Sequence, residues 1–159
     1  MSDARFYFAY GSNLSLLQMK QRCPDSQRVA IAVSPNYRWG ISCRGYANIY
    51  KSDGHMVYGV LYTLSAKDEK TLDRREGVAI GCYEKAELDV TIVSFYGQKH
   101  ESLEEGLTKD VLVYIDPRME EGTPRLEYVG RMEAGLQDAK LPEEWVKESI
   151  LPLLVSEED

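Results

Sequence analysis

The sequence predicts an α+β fold in which a closed or strongly curled sheet is flanked by helices. Two observations predict it. Between Arg28 and Leu64 the segments "RVAIAV", "YRWGISC", "NIY" and "MVYGVLYTL" are rich in β-branched and aromatic residues, which suit a pleated, half-buried surface. Strand-like segments also stand before and after this region, so five or more strands precede and surround only a few helical stretches, the arrangement expected of a mixed sheet with helices set against it.

Taken in order, Arg5 to Tyr10 reads as a first strand and Ser15 to Arg22 as a short helix. The stretch "SDGH" at 52–55 carries an Asp-Gly turn signal between two strand-like runs and predicts a hairpin. Gly59, inside the last of those runs, predicts a bulge or a close approach of backbone. Ser65 stands three residues before Asp68 in a capping-box arrangement, opening a helix through "AKDEKTLDRRE" that should stop at a left-handed Gly77. Strands return at "YEKAELDVTIV" and "KDVLVYI". A turn rich in Pro and Gly, "DPRMEEGTP", then leads to a helix over Arg125 to Leu136 and a last one over about Pro142 to Leu154.

A chain of 159 residues is expected to form one domain over 1–159 with a core large enough to need no covalent staples. The acidic end, about 156–159, is expected to fray. No run approaches the roughly 20 apolar residues of a membrane span, and "MSDARFYF" lacks the basic and apolar regions of a secretory signal. Cys23, Cys43 and Cys82 are odd in number and show no metal or redox spacing, so reduced thiols and a cytoplasmic location are expected. A net charge of −7 argues against a nucleic-acid partner, because phosphate neutralisation needs a concentrated basic face. The densest basic cluster, Lys70, Arg74 and Arg75, is too small for one. A few local donors can still bind a small acidic molecule.

Several chemistries are poorly supported. The two histidines, His55 and His100, lie in polar, turn-like stretches and make neither a metal set nor a triad. Phosphate-loop, dinucleotide and nucleophile-elbow motifs are missing, so no cofactor and no metal are expected.

Three places remain. The loop of Tyr10, Gly11, Ser12, Asn13, Leu14 and Ser15 joins a strand to a helix start, where unpaired backbone N–H groups meet the positive end of the helix dipole. It could hold a carboxylate or a developing oxyanion, or Ser12 or Asn13 could simply cap the helix. Glu76 falls four residues after Leu72 on the same helix face. If Leu72 points inward, so does Glu76, and burial at the negative helix end raises its pKa toward that of a group able to take and give a proton. Arg74 and Arg75 would oppose this if they came close; the alternative is a surface carboxylate at a fraying end. Tyr128 sits at the margin of a stripe formed by Leu126, Val129, Met132 and Leu136, either as core or with its hydroxyl in a cleft. Tyr83 is similarly open.

Taken together, "FYFAYGSNL", "LDRREGV", Tyr83 seven residues after the glutamate and "PRLEYVGRMEAGLQDAKLP" resemble the gamma-glutamylcyclotransferase family of the AIG2-like superfamily, in the same order along nearly the whole chain. The resemblance implies a small mixed β-barrel with flanking helices, no metal, and often a homodimer. It implies Tyr10 to Ser15 as the substrate loop, Glu76 as catalytic acid/base, Tyr128 as a substrate contact and Tyr83 as a pocket or supporting tyrosine. The Gly-Ser-Asn-Leu form of the first motif favours the branch acting on gamma-glutamyl amino acids or related amines. "SLLQ" after the motif departs from the family pattern and leaves the substrate open. Rival readings are removal of a gamma-glutamyl group from a specialised metabolite, a non-enzymatic binding module, and, more distantly, a thiol enzyme.

Overall fold

Among the described residues five strands carry the fold: β1 (Arg5–Ala9), β2 (Arg28–Ile41), β3 (Ala47–Leu64), β4 (Glu84–Phe95) and β5 (Thr108–Ile115). They close into a barrel in the order β1-β3-β2-β4-β5. All pairings are antiparallel except the closing one, where β5 meets β1 in parallel register at Tyr7 and Leu112. Closure is confined to one end of the long β2–β3 pair: β4 pairs β2 only over Ala30–Val33 and β1 pairs β3 only over Val60–Leu64, and beyond these stretches β2 and β3 pair with each other. This computed structural model describes residues 5–100, 103, 106 and 108–155; the acidic end expected to fray, 156–159, lies outside them.

The core draws on every strand. Phe8, Ala32, Leu61, Val90 and Leu112 are all buried, and each large apolar side chain removed from water contributes about 2–3 kcal/mol. Gly59 lies where β1 and β3 cross closely: a Cβ there would stand 2.5 Å from the Ala9 carbonyl oxygen and 2.7 Å from the Phe8 ring. The glycine marks a close approach of backbone.

The four strand-like runs between Arg28 and Leu64 form two long strands, and the hairpin expected at "SDGH" is not one. Strand β3 continues through it. Pro35 pairs with Met56 and Tyr37 with Lys51, so Ser52 to His55 bulge out opposite the single residue Asn36. Asn36 takes a positive φ of 62°, and its side-chain oxygen accepts from the Gly54 amide at 3.2 Å. The Asp-Gly signal is satisfied locally by this bulge. Chain reversal falls instead at Ser42–Tyr46, where the Ser42 amide donates to Tyr46 (2.8 Å) and the Gly45 amide to Ser42 (2.9 Å).

Among the described residues four α-helices stand against the barrel: α1 (Leu16–Arg22), α2 (Ala66–Arg75), α3 (Leu126–Ala139) and α4 (Glu143–Ser149). Ser15 caps α1 and Ser65 caps α2, each side chain accepting from the third amide on. Asp68 does not complete its capping box; its carboxylate accepts from the Asp25 amide at 2.9 Å, tying α2 to the chain before β2. Gly77 ends α2 in the left-handed region, at φ 65°. The last helix is shorter than expected, because the chain tightens into a 3-10 turn at Leu151–Leu153, where Pro152 cannot continue the α pattern. Among the described residues no helix is long and apolar enough to cross a membrane.

Candidate active site

The loop after β1 turns through a 3-10 segment, Ser12–Leu14, and sits against α3. Within it the Leu14 and Ser15 amides donate to the Gly11 and Ser12 carbonyls, both at 3.0 Å. The Ser12 amide donates to the Tyr128 hydroxyl at 3.2 Å. Among the described residues the Gly11 and Asn13 amides have no protein acceptor. Helix α1 holds the loop's side chains: Gln18 donates to Ser12 Oγ (2.7 Å) and Asn13 Oδ1 (2.8 Å), and Arg22 to Asn13 Oδ1 (3.1 Å). The "SLLQ" departure therefore supplies the glutamine that clamps the loop.

Aromatic residues wall the loop from the barrel side. Asn13 Nδ2 donates to the Tyr7 hydroxyl at 2.9 Å, Tyr10 donates to the Tyr114 carbonyl at 2.5 Å, and Trp39 Nε1 donates to the Tyr10 carbonyl at 2.8 Å. Tyr83 donates to the Ala47 carbonyl at 2.9 Å. Burial, reinforced by Glu76, pushes the phenols of Tyr7 and Tyr83 up; in Tyr10 burial and Tyr83 do so ahead of Glu76. Burial pushes Tyr128 up to about 12, opposed by the amides of Ala47 and Ser12. All four are neutral near pH 7, so they act as hydrogen-bonding groups and not as charges.

Glu76 closes α2. Its amide reaches back to the Leu72 carbonyl at 2.8 Å, and Leu72 is fully buried. The shared helix face carries the Glu76 carboxyl inward to a cavity of about 370 Å³, where it meets Tyr7, Tyr10, Gly11, Asn13, Tyr83 and Tyr128, a volume within the range of small-molecule sites. Glu76 keeps some accessible surface through the cavity, yet protein encloses the carboxyl. Desolvation raises its pKa to about 7, and Arg22, Arg44 and Arg131, in that order, pull it down.

Those three arginines were not singled out in the sequence. Arg22 ends α1, Arg44 lies in the β2–β3 turn and Arg131 follows Tyr128 by one helical turn. Arg74 and Arg75 also belong to the cavity lining, where Glu76 is the one carboxylate among the described residues, but only Arg22, Arg44 and Arg131 act on its carboxyl. A local excess of cations in a chain of net charge −7 marks the cavity as a place for an anionic ligand. The ends of separate elements converge here, and spacing alone signals no such convergence.

Two candidates do not reach the cavity lining. Leu14 is buried against Gly135, and Ser15 serves as the α1 cap. The expected α3 stripe is also rotated: Tyr128, Met132, Gly135 and Ala139 face inward, whereas Leu126 is 63% exposed. Tyr128 is central to the buried face.

The model of the AIG2-like family matches residues 56–148, more than half of the sequence. The chain belongs to the AIG2-like family. The matched stretch of this AIG2-like chain includes Glu76, Tyr83 and Tyr128 and begins after the Tyr10–Ser15 loop. Among its relatives, the gamma-glutamylcyclotransferase of Mus musculus is 28% identical over 149 residues, spanning 87% of this chain and 73% of that protein. That of Homo sapiens is 26% identical over 153 residues, spanning 90% and 76%. A solved gamma-glutamyl cyclotransferase superposes with a TM-score of 0.78 at 24% identity, covering 92% of the AIG2-like chain and 86% of its own, a likeness of fold. YkqA from Bacillus subtilis gives 0.71 at 27% identity, covering 92% and 54%. The family resemblance read from the motifs is thus matched in sequence and in fold.

Proposed function

We propose that this protein is a gamma-glutamylcyclotransferase that converts gamma-glutamyl amino acids, or related gamma-glutamyl amines, to 5-oxoproline and the free amine. The observation that carries the reading is the meeting of Glu76, with a pKa raised to about 7, and the bare Gly11–Asn13 loop in one arginine-lined cavity. The named relatives in mouse and human point the same way.

In this reaction the substrate's α-amine attacks its own γ-carbonyl. The new C–N bond closes a five-membered ring, the carbonyl electron pair moves to oxygen, and its return expels the amine by breaking the original amide bond. Two protons leave the attacking ammonium nitrogen and two arrive on the departing nitrogen, so the proton count balances. One carboxylate can carry them in turn, and a pKa near working pH suits both directions of transfer. Tethering of the nucleophile to its target supplies much of the rate through effective molarity. The Gly11 and Asn13 amides, the donors left over in the loop, are assigned to the oxyanion or to the substrate's α-carboxylate, a role worth about 3–4 kcal/mol per donor in an oxyanion site. Tyr10, Ser12, Tyr83 and Tyr128 shape the pocket. Three free cysteines suit a reducing, cytoplasmic compartment.

The test is 5-oxoproline release from gamma-glutamyl-alanine by wild type and Glu76→Gln, with chelator present and glutathione as a parallel substrate. Release by wild type and a loss of at least about a hundredfold in the variant are expected. Equal turnover by the two would remove Glu76 from the reaction.

A further inference from the structure

We infer that Asp73 and Tyr114 are positioning residues: the hydrogen bond between them fixes the end of α2, and with it Glu76, against the Gly11–Asn13 loop. The inference rests on the reaction proposed above, in which Glu76 carries the proton, and deepens it by naming what sets Glu76 in place.

Nothing at the carboxyl itself holds Glu76. Among the described residues its side chain makes no hydrogen bond and no ion pair. It stands at the C-terminal cap of α2, followed by the left-handed Gly77. A helix end held only by its own backbone bonds frays. The place of the carboxyl therefore depends on what docks the last turn of the helix.

Helix α2 docks through one face, on which Glu69, Leu72, Asp73 and Glu76 follow each other at helical spacing. Leu72 enters the core. Asp73 is gripped at both carboxylate oxygens: the Tyr114 hydroxyl donates to Oδ1 at 2.7 Å and Lys85 Nζ to Oδ2 at 3.1 Å. Lys85 and Tyr114 are directly opposite each other on β4 and β5, so one cross-strand pair of the barrel supplies the whole grip. The Tyr114 bond is the more sheltered, since Tyr114 is 3% exposed and the Lys85 side chain 31%. An exposed ion pair contributes little, whereas a hydrogen bond to a charged acceptor beside the core contributes more. Burial, with Asp73 acting in the same direction, pushes the Tyr114 phenol up and keeps its proton on the donor side. Glu69 accepts from Lys85 and from Arg5 Nη1, but it lies about two turns before Glu76 and fixes the other end of the helix.

Tyr114 also reaches the loop. Its backbone carbonyl accepts from the Tyr10 hydroxyl at 2.5 Å, and its ring meets that of Tyr7 edge-on at 5.8 Å. Tyr10 opens the Gly11–Asn13 loop, and the Tyr7 hydroxyl accepts from the Asn13 side chain. One residue of β5 thus ties the helix that carries Glu76 to the strand end that carries the loop. A proton carrier and a set of amide donors must keep their separation closely to act on one substrate, and a displacement of 1 Å can cost about a hundredfold in rate.

The experiment pairs 5-oxoproline release from gamma-glutamyl-alanine with residue-resolved amide hydrogen exchange. Tyr114→Phe and Asp73→Leu should each lower kcat by about tenfold or more while KM stays within about threefold. Asp73→Asn keeps an oxygen that accepts from Tyr114 and should recover most of that loss. Glu69→Gln, which loosens the far end of the same helix, should lower the melting temperature and leave kcat unchanged. The Glu76 amide, which donates to Leu72, should exchange about tenfold faster or more in Tyr114→Phe and Asp73→Leu, and at the wild-type rate in Glu69→Gln. A kcat that neither Tyr114→Phe nor Asp73→Leu moves would overturn the inference, as would an equal loss in Glu69→Gln, which would reduce the bond to general stability. Exchange needs no turnover, so it separates the inference from the reaction. Faster exchange at Glu76 in a protein that releases no 5-oxoproline would reject the proposed chemistry and uphold the anchoring of Glu76. Release by wild type with kcat and exchange both indifferent to Tyr114 would do the reverse.

Discussion

The hydroxyl of Tyr128 occupies the space that a side chain on Gly11 would fill: a Cβ on Gly11 would stand 2.8 Å from that oxygen. The close approach leaves no room for a side chain at Gly11. The same hydroxyl accepts from the Ser12 amide, which makes helix α3 the support on which the loop after β1 is set.

Removing either partner should therefore disturb the loop, and removing both should disturb it less than the sum. Gly11→Ala is expected to lower kcat/KM by about tenfold or more, since a 1 Å displacement at a site can cost a hundredfold. Tyr128→Phe should destabilise by about 1–2 kcal/mol through the unpaired Ser12 amide. The double variant should recover part of the Gly11→Ala loss, because the obstructing oxygen is gone. Strict additivity in the four-protein cycle would contradict this contact.

Two glycines of α3 should respond oppositely to alanine. A Cβ on Gly135 would meet Leu14 Cβ at 2.9 Å and the Ser15 amide nitrogen at 3.1 Å, whereas one on Gly130 meets nothing within 4 Å. Gly130→Ala should stabilise by about 1 kcal/mol through helix propensity. Gly135→Ala should destabilise by about 1–2 kcal/mol as overpacking exceeds that gain, and should lower activity by moving Leu14 and the loop. Thermal melts of both variants beside wild type decide the matter.

Local chemistry explains which parts of this arrangement were legible in the sequence. The inward turn of Glu76 follows from helical spacing relative to Leu72, and the left-handed Gly77 from the end of a capped helix. The bulge at "SDGH" was misread because an Asp-Gly step is equally at home protruding from a strand pair, and only the partner, Asn36, distinguishes the two. Arg22, Arg44 and Arg131 were missed for another reason. Each lies at an unremarkable place in its own element, and they meet only because α1 and α3 both pack on the loop after β1, beside the β2–β3 turn.

Cys82 provides a probe of the cavity. It lines the wall beside Tyr83 and is partly exposed, whereas Cys23 is buried. A bulky maleimide should inhibit wild type by obstructing the cavity. Cys82→Ser should remain active and resist inhibition even though Cys43 is still exposed. Inhibition that persists in Cys82→Ser would place the sensitive thiol elsewhere, and inactivity of folded Cys82→Ser would revive a thiol mechanism.

Glu76 should cost the fold stability above neutral pH, with a sign that follows from its proton binding. Its pKa is about 7 in the folded protein and 4.5 in the ordinary state. Between these values the folded chain holds more protons than the unfolded one, so stability is greatest below about pH 4.5 and is lost as pH rises through about 7. The ceiling on the loss is roughly 3 kcal/mol at 1.36 kcal/mol per unit, and solvent reaching the carboxyl through the cavity reduces it. Glu76→Gln has no such carboxyl to ionise. The variant should therefore gain on wild type as pH rises from 5 to 8, read as the difference in unfolding midpoint. The same ionisation should appear in the rate with the opposite consequence: kcat/KM of wild type should climb from pH 5 and level near 7, because only the carboxylate accepts the substrate's proton. A stability difference that does not vary between pH 5 and 8 would mean that Glu76 ionises as it does in water, and would leave it unsuited to carry a proton in both directions.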